Sequence, residues 1–199
     1  MDNLVRIYEN ALDDEWCNRI RTKFDEHPNQ EEHHSEGNMS FRQIKIQNFP
    51  QWGEELKYLF MKFNDYRIEY KKDVLLEDTQ WPEKYSWEEF RIKKYLPNGV
   101  DQFDFHVDVK SYENARRFLV MFAYLDDNEK GSTELRLKSE YAGPDYEEYR
   151  RNSWVNSPCQ KGSILIFPPL WPWFHAGMMP KSSSKYIVGS YLHYVEAEV

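Results

Sequence analysis

The chain has 199 residues, a formal net charge of −8, 17 % aromatic residues and two cysteines. That length suffices for one domain with a real core, and the acidic balance argues against a nucleic-acid partner gripped through its phosphates. Cys17 and Cys159 stand far apart and outside any C-x-x-C pattern, which points to reduced thiols and excludes a zinc knuckle.

The first ten residues, MDNLVRIYEN, lack a basic-then-apolar leader, and no apolar run approaches the length of a membrane span. A cytoplasmic protein with no membrane partner is expected. The opening segment reads as a short strand and then a helix: Asp13 is the expected N-cap, and Trp16, Ile20 and Phe24 recur at helical spacing. Residues 28–40 are polar and turn-rich, hence an expected loop, with His33 and His34 in solvent. FRQIKIQ alternates as a strand. A second helix is predicted from about Glu54 to Tyr70, with Leu56, Leu59, Phe60, Phe63 and Tyr70 in one stripe. Residues 71–88 are charged and irregular.

After Glu89 the pattern changes to short runs at strand spacing: FRIKKY, FDFHVDV, RFLVMFAYL, TELRL, SILIF, WFHAG and KYIVGSYLHYV. PNG, DDNEKG and QKG punctuate them as turns. Many short strands after two helices predict a mainly β (α+β) fold, a sandwich or barrel carrying its helices outside. The polar insert 138–157 is a candidate lid.

Within FDFHVDV, strict alternation puts Phe103, Phe105 and Val107 on one face and His106 and Asp108 on the other. Two ligands that close can grip one metal ion, although a solvated strand face would read identically. Downstream, His175 lies in an aromatic strand where an imidazole needs a partner. Ten residues further, Lys185 opens a strand whose inward neighbours by period are Ile187, Gly189, Tyr191 and His193. A lysine facing a barrel interior needs an anion. Two histidines and a carboxylate are the facial triad of non-haem iron(II) oxygenases, which leaves coordination positions open. A 2-oxo acid could fill two of these and dioxygen the last, with Lys185 on the far carboxylate.

YLPNGVDQFDFHVD, RRFLVMFAYLDDNEKGSTELRL, SPCQKGSILIF and HAGMMPKSSSK follow one another in this order. Together, over about half the chain, they resemble the 2-oxoglutarate/Fe(II)-dependent dioxygenases of the prolyl 4-hydroxylase type. The resemblance implies a double-stranded β-helix (jelly-roll) core over about 89–199, helical N-terminal support over about 1–88, and a single dioxygenase domain spanning 1–199. It assigns His106, Asp108 and His175 as catalytic iron ligands and Lys185 as the 2-oxoglutarate anchor. It also places Tyr95 and Tyr124 in the cosubstrate pocket. The implied reaction hydroxylates an unactivated C–H bond and releases succinate and CO2. A prolyl residue in a peptide or protein is the favoured substrate, a free amino acid stays open, and ascorbate is a candidate reductant.

GSTEL departs from the family's GG-x-T by placing Glu134 where threonine is common, and Gly189 and Ser190 occupy the region where the family often has a small hydroxyl residue; these departures put Thr133 and Ser190 in question as binders. Tyr191 reads as core filling and His193 as a hydrogen-bonded structural histidine. Trp154, Trp171 and Trp173 either shape a substrate groove or plug the barrel end. Two rival classes remain: a cupin-like metal enzyme without 2-oxoglutarate, and a non-enzymatic module holding a structural metal.

Overall fold

The structure is a computed structural model and describes residues 4–136 and 154–196. The candidate lid lies outside the described residues as far as position 153. From Trp154 onward that segment is a strand, not a loop.

The interior strands form where apolar residues fill both faces. Strand β7, Arg117–Tyr124, sends Leu119, Met121 and Ala123 to one core and Val120, Phe122 and Tyr124 to another. Strands β10, Ile164–Phe167, and β12, Lys185–Tyr194, divide in the same way: Ile164, Ile166, Val188 and Leu192 on one side, Leu165, Phe167, Ile187 and Tyr191 on the other. Burial on both faces explains why RFLVMFAYL and SILIF read as continuous apolar runs.

Around these strands lie β1 (Arg6–Tyr8), β3 (Met39–Lys45), β5 (Arg91–Tyr95) and β6 (Gln102–His106). The set is completed by β8 (Asn128–Arg136), β9 (Trp154–Cys159) and β11 (Phe174–Gly177). Pairing is antiparallel throughout, in the order β1-β10-β7-β12-β5-β3-β6-β11-β8-β9. The path folds over on itself, because Tyr124 on β7 hydrogen-bonds Thr133 on β8 and Tyr191 on β12 reaches Asp108 just beyond β6. The row β10-β7-β12-β5 therefore faces β6-β11-β8-β9, which is the expected jelly roll.

Helices α1, Asp14–Asp25, and α2, Gly53–Asp73, cover the outer face of the first row. Ile20, Phe24, Leu59 and Phe63 pack there with Met121, Val188 and Leu192. Each fully buried side chain of this kind contributes about 1.5–3 kcal/mol. Phe60 does not share the stripe and is 50 % exposed; one helical step carries it about 100° round from Leu59. Also on α2, buried Glu55 pairs with Arg19 at 2.7 Å and Lys23 at 2.8 Å and so ties α2 to α1. Asp13 does precede α1 as N-cap residue, but its carboxylate makes no capping bond and instead accepts the Tyr58 hydroxyl at 2.7 Å.

Besides β9, two short strands escaped the sequence reading. The polar stretch expected as a loop holds β2, Glu32–Glu36, hairpinned onto β3. There His33 is exposed, whereas His34 stacks on Phe41 at 5.1 Å. Strand β4, Tyr85–Trp87, pairs with β12 inside the irregular region. DDNEKG is also less of a turn than expected, since β8 begins at Asn128.

Candidate metal centre

The centre is assembled by β6, β11 and the loop that follows β10. His175 on β11 pairs directly with His106 at the end of β6, but the next partners are Gly177 and Phe103. Two residues on β11 thus span three on β6. This β-bulge breaks the strict alternation and turns Phe103 to the same side as His106, where the rings stack at 3.8 Å. Phe103 was expected on the opposite, apolar face. Asp108 is also not on the strand. It lies beyond it, where its N–H and that of Val109 donate to the Pro169 carbonyl.

His106, Asp108 and His175 nevertheless converge, each offering one ligand atom within 4.8 Å of the others. His106 Nε2 lies 3.5 Å from Asp108 Oδ1, and His175 Nε2 lies 3.5 Å from Asp108 Oδ2. Each histidine points Nδ1 at a backbone carbonyl: His106 at Asp104 O (2.7 Å) and His175 at Trp173 O (2.9 Å). A carbonyl only accepts, so Nδ1 carries the proton and the Nε2 lone pair is free to ligate. His106 Nε2 and Asp108 Oδ2 are buried with no hydrogen-bond partner. Such orphaned atoms are costly unless something fills the space between them.

Burial pushes the His175 imidazole down to about 4, so it is neutral at pH 7, the form that binds metal. Burial acts on Asp108 in the opposite sense, but the His175 and His106 interactions and the Tyr191 hydrogen bond outweigh it. They hold the carboxyl well below its usual range. Tyr191, expected as core filling, donates to Asp108 Oδ1 at 2.7 Å. Its shared period with Lys185 was the signal that placed it inward. Two imidazoles and one carboxylate suit a non-haem iron with open positions. A closed structural zinc site takes a fourth ligand, and the group among the described residues has three.

The cavity beside the triad is lined by Tyr95, Phe122, Thr133, Gly177, Lys185 and Tyr191. Lys185 is 1 % exposed; its ammonium donates to Met178 O at 3.0 Å and lies 4.6 Å from the Tyr95 ring centroid. No carboxylate among the described residues ion-pairs with it, and burial lowers its pKa to about 8. Gly131 on β8 makes room for the lysine stem: a Cβ there would stand 2.8 Å from Lys185 Cδ. Thr133 lines the cavity, whereas Tyr124, expected there, does not; its hydroxyl donates to Thr133 Oγ1 at 2.8 Å. Ser190 is not among the residues lining the triad cavity and donates to Glu88 O at 2.8 Å. His193 is buried, but its Nδ1 has no hydrogen-bond partner among the described residues, unlike the expectation. Of the tryptophans, Trp173 packs at the inner core and Trp171 is 72 % exposed, while the Arg136 guanidinium lies over Trp154 at 4.4 Å.

Sequence reasoning missed Lys93 altogether. FRIKKY holds two adjacent lysines, and only pairing decides which faces inward. Lys94 turns out to Asp25, whereas Lys93 faces the cavity with its ammonium 4.5 Å from the Phe41 ring centroid and 4.9 Å from that of Phe103.

No protein-family profile and no curated protein sequence matches this chain. Solved structures do share its fold. The viral collagen prolyl hydroxylase of Paramecium bursaria Chlorella virus-1, solved with 2-oxoglutarate, is 16 % identical with TM-score 0.66, over 97 % of each chain. A prolyl hydroxylase from Trichoplax adhaerens, in complex with a hypoxia-inducible-factor peptide fragment, is 14 % identical with TM-score 0.72. That match covers 96 % of this chain and 84 % of the other. The non-heme α-ketoglutarate-dependent epimerase SnoN of nogalamycin biosynthesis is 9 % identical with TM-score 0.66, over 96 % of this chain and 78 % of its own. One jelly roll thus accommodates hydroxylation and epimerisation alike.

Proposed function

We propose that this chain is an Fe(II)- and 2-oxoglutarate-dependent dioxygenase that hydroxylates an unactivated C–H bond. One observation carries the reading: three convergent ligand atoms and a buried lysine with no carboxylate partner share a single cavity. His106, Asp108 and His175 would hold the metal on one side. Lys185 would meet the distal carboxylate of 2-oxoglutarate in a charge-assisted contact, with Tyr95 as wall and the Tyr124–Thr133 hydroxyl pair close by.

Iron with 2-oxoglutarate supplies the oxidising chemistry: dioxygen, the oxo acid and the substrate C–H bond yield succinate, CO2 and the alcohol. The chain's own contribution is positional. The two backbone carbonyls fix the imidazole tautomers, Tyr191 fixes the carboxylate, and Phe103, Phe122 and Phe167 exclude water from the reacting groups. A prolyl residue of a peptide or protein is the substrate this reading takes. Its support is the jelly roll shared with prolyl hydroxylases, one of them solved with a peptide fragment.

Anaerobic titration with iron(II) and then 2-oxoglutarate tests the proposal. A visible charge-transfer band should appear only after the second addition. Lys185→Ala should keep the metal while weakening 2-oxoglutarate binding at least about 30-fold. A parent that binds iron but shows no band, or a variant that binds both ligands like the parent, would sink it. The second outcome favours a cupin-like enzyme without the oxo acid.

A further inference from the structure

Lys93 is the one cavity cation that the proposed function leaves without a task. Its ammonium rests over the Phe41 and Phe103 rings and makes no hydrogen bond or ion pair with any described residue. The other inward cations of that wall are matched. Arg117 grips Glu88 through two contacts of 2.8 Å, and Arg91 reaches Glu88 and Glu89 at 3.5 Å each. Once the centre is loaded, a divalent metal, a doubly charged oxo acid, Asp108 and Lys185 cancel one another, and Lys93 remains uncompensated. Lys93 is half-buried, and a charge drawn partly out of water against apolar rings without a counter-ion calls for one.

Space for that counter-ion exists. A second compartment of about 50 Å³ adjoins the triad cavity and is lined by Arg91, Lys93, Val120, Phe122, Ile187, Gly189, Ser190 and Tyr191, with Lys93 in the wall common to both. Neither the triad nor Lys185 borders it. That volume admits a small polar group such as a carboxylate. Tyr191, which holds Asp108, also lines it, so a group seated there lies next to the metal centre.

We propose that the substrate carries a free carboxylate, the α-carboxylate of an amino acid, held by Lys93 in this second compartment. The proposal rests on the oxygenase reading and replaces an internal prolyl residue as its substrate. An amino acid in solution and the last residue of a peptide present the same group, whereas an internal prolyl residue presents none.

Anaerobic protein holding iron(II) and 2-oxoglutarate is titrated calorimetrically with the twenty L-amino acids and with their α-amides. Tripeptides ending in free and in amidated proline form a second arm, which tells the free amino acid from the peptide terminus. At least one free acid should bind, and its amide at least about 30-fold more weakly. Lys93→Met should lose that discrimination, keep the 2-oxoglutarate chelate band and melt no lower than the parent, since it removes an unpaired, half-buried charge and keeps the apolar stem. Lys93→Arg should retain the preference for the acid.

Equal binding of acid and amide, or no binding by any acid in either arm, overturns the inference. So does loss of the chelate band in Lys93→Met, which would put Lys93 on the cosubstrate. A parent that forms no chelate refutes the oxygenase reading and the subsite with it. A parent that forms the chelate yet ignores the carboxylate refutes the subsite alone.

Discussion

Replacing Tyr191 with phenylalanine removes one oxygen and leaves the ring in place. That ring keeps its Arg117 neighbour, whose guanidinium lies 4.0 Å from the ring centroid. What disappears is the 2.7 Å bond to Asp108 Oδ1, a hydrogen bond to a charged acceptor worth about 1.5–3 kcal/mol. Only part of this can appear as metal affinity, because the bond exists before and after the metal binds. Its orienting effect on the carboxylate is lost in full, however, and losses of such partners typically cost about 10–100-fold in metal affinity. At 1.4 kcal/mol per factor of ten, that is about 1.4–2.8 kcal/mol, within what the bond can supply.

The pH dependence has a definite sign. Tyr191 helps to hold the Asp108 carboxyl below its usual range, so its loss raises that pKa. Protons then compete with the metal at higher pH, and the acid limb of the binding profile moves upward. Manganese(II) binding, measured calorimetrically in parent and variant from pH 8 down to the lowest pH at which both stay folded, provides the assay. Metal affinity within about threefold of the parent at every pH, in a folded variant, would refute the orienting role.

Three further outcomes are expected. Burial lowers the Lys185 ammonium to about 8, and only its protonated form pairs with a carboxylate. The 2-oxoglutarate affinity should therefore stay flat well below pH 8 and fall towards tenfold per pH unit above it. A profile level to pH 9.5 by calorimetry would contradict that role. In Gly131→Ala, the new methyl meets Lys185 Cδ at 2.8 Å. The oxo acid should bind at least about tenfold more weakly at nearly unchanged manganese affinity, with an overpacking cost of about 1–3 kcal/mol in urea unfolding. Leu59→Ala empties a fully buried position where α2 meets the sheet. It should cost about 2–5 kcal/mol in the same unfolding assay while the metal affinity of the folded protein stays near the parent's.

Much of the jelly roll was legible because its strands are buried on both faces and stand out as apolar runs between turn residues. The strands that escaped notice lack that signal. EHHSE in β2 is largely exposed and is held by its ladder to β3, so no apolar alternation marks it. Strand β9 begins inside a polar insert and is defined by pairing with β8. Phe60 was misplaced because a stripe drawn on a helical wheel does not say where its edge falls; the neighbouring sheet does.

The side chains at the candidate centre followed the same division. Residue type and spacing alone determined that His106, Asp108, His175 and Lys185 were the groups to watch, since few soluble strands keep two imidazoles, a carboxylate and a lysine among aromatics. Strict alternation does not bring them together: Asp108 does not share a strand face with His106, but is hung from the Pro169 carbonyl beyond the strand's end. Each histidine's tautomer is set locally, by the carbonyl two residues before it, whereas Tyr191 serving the carboxylate and Lys93 rather than Lys94 facing inward were decided by partners distant in the chain. Alternation along one strand states only that neighbours point to opposite sides. Which side is interior, and where a bulge resets the count, depends on the strand hydrogen-bonded next to it, and that information exists only in the folded sheet.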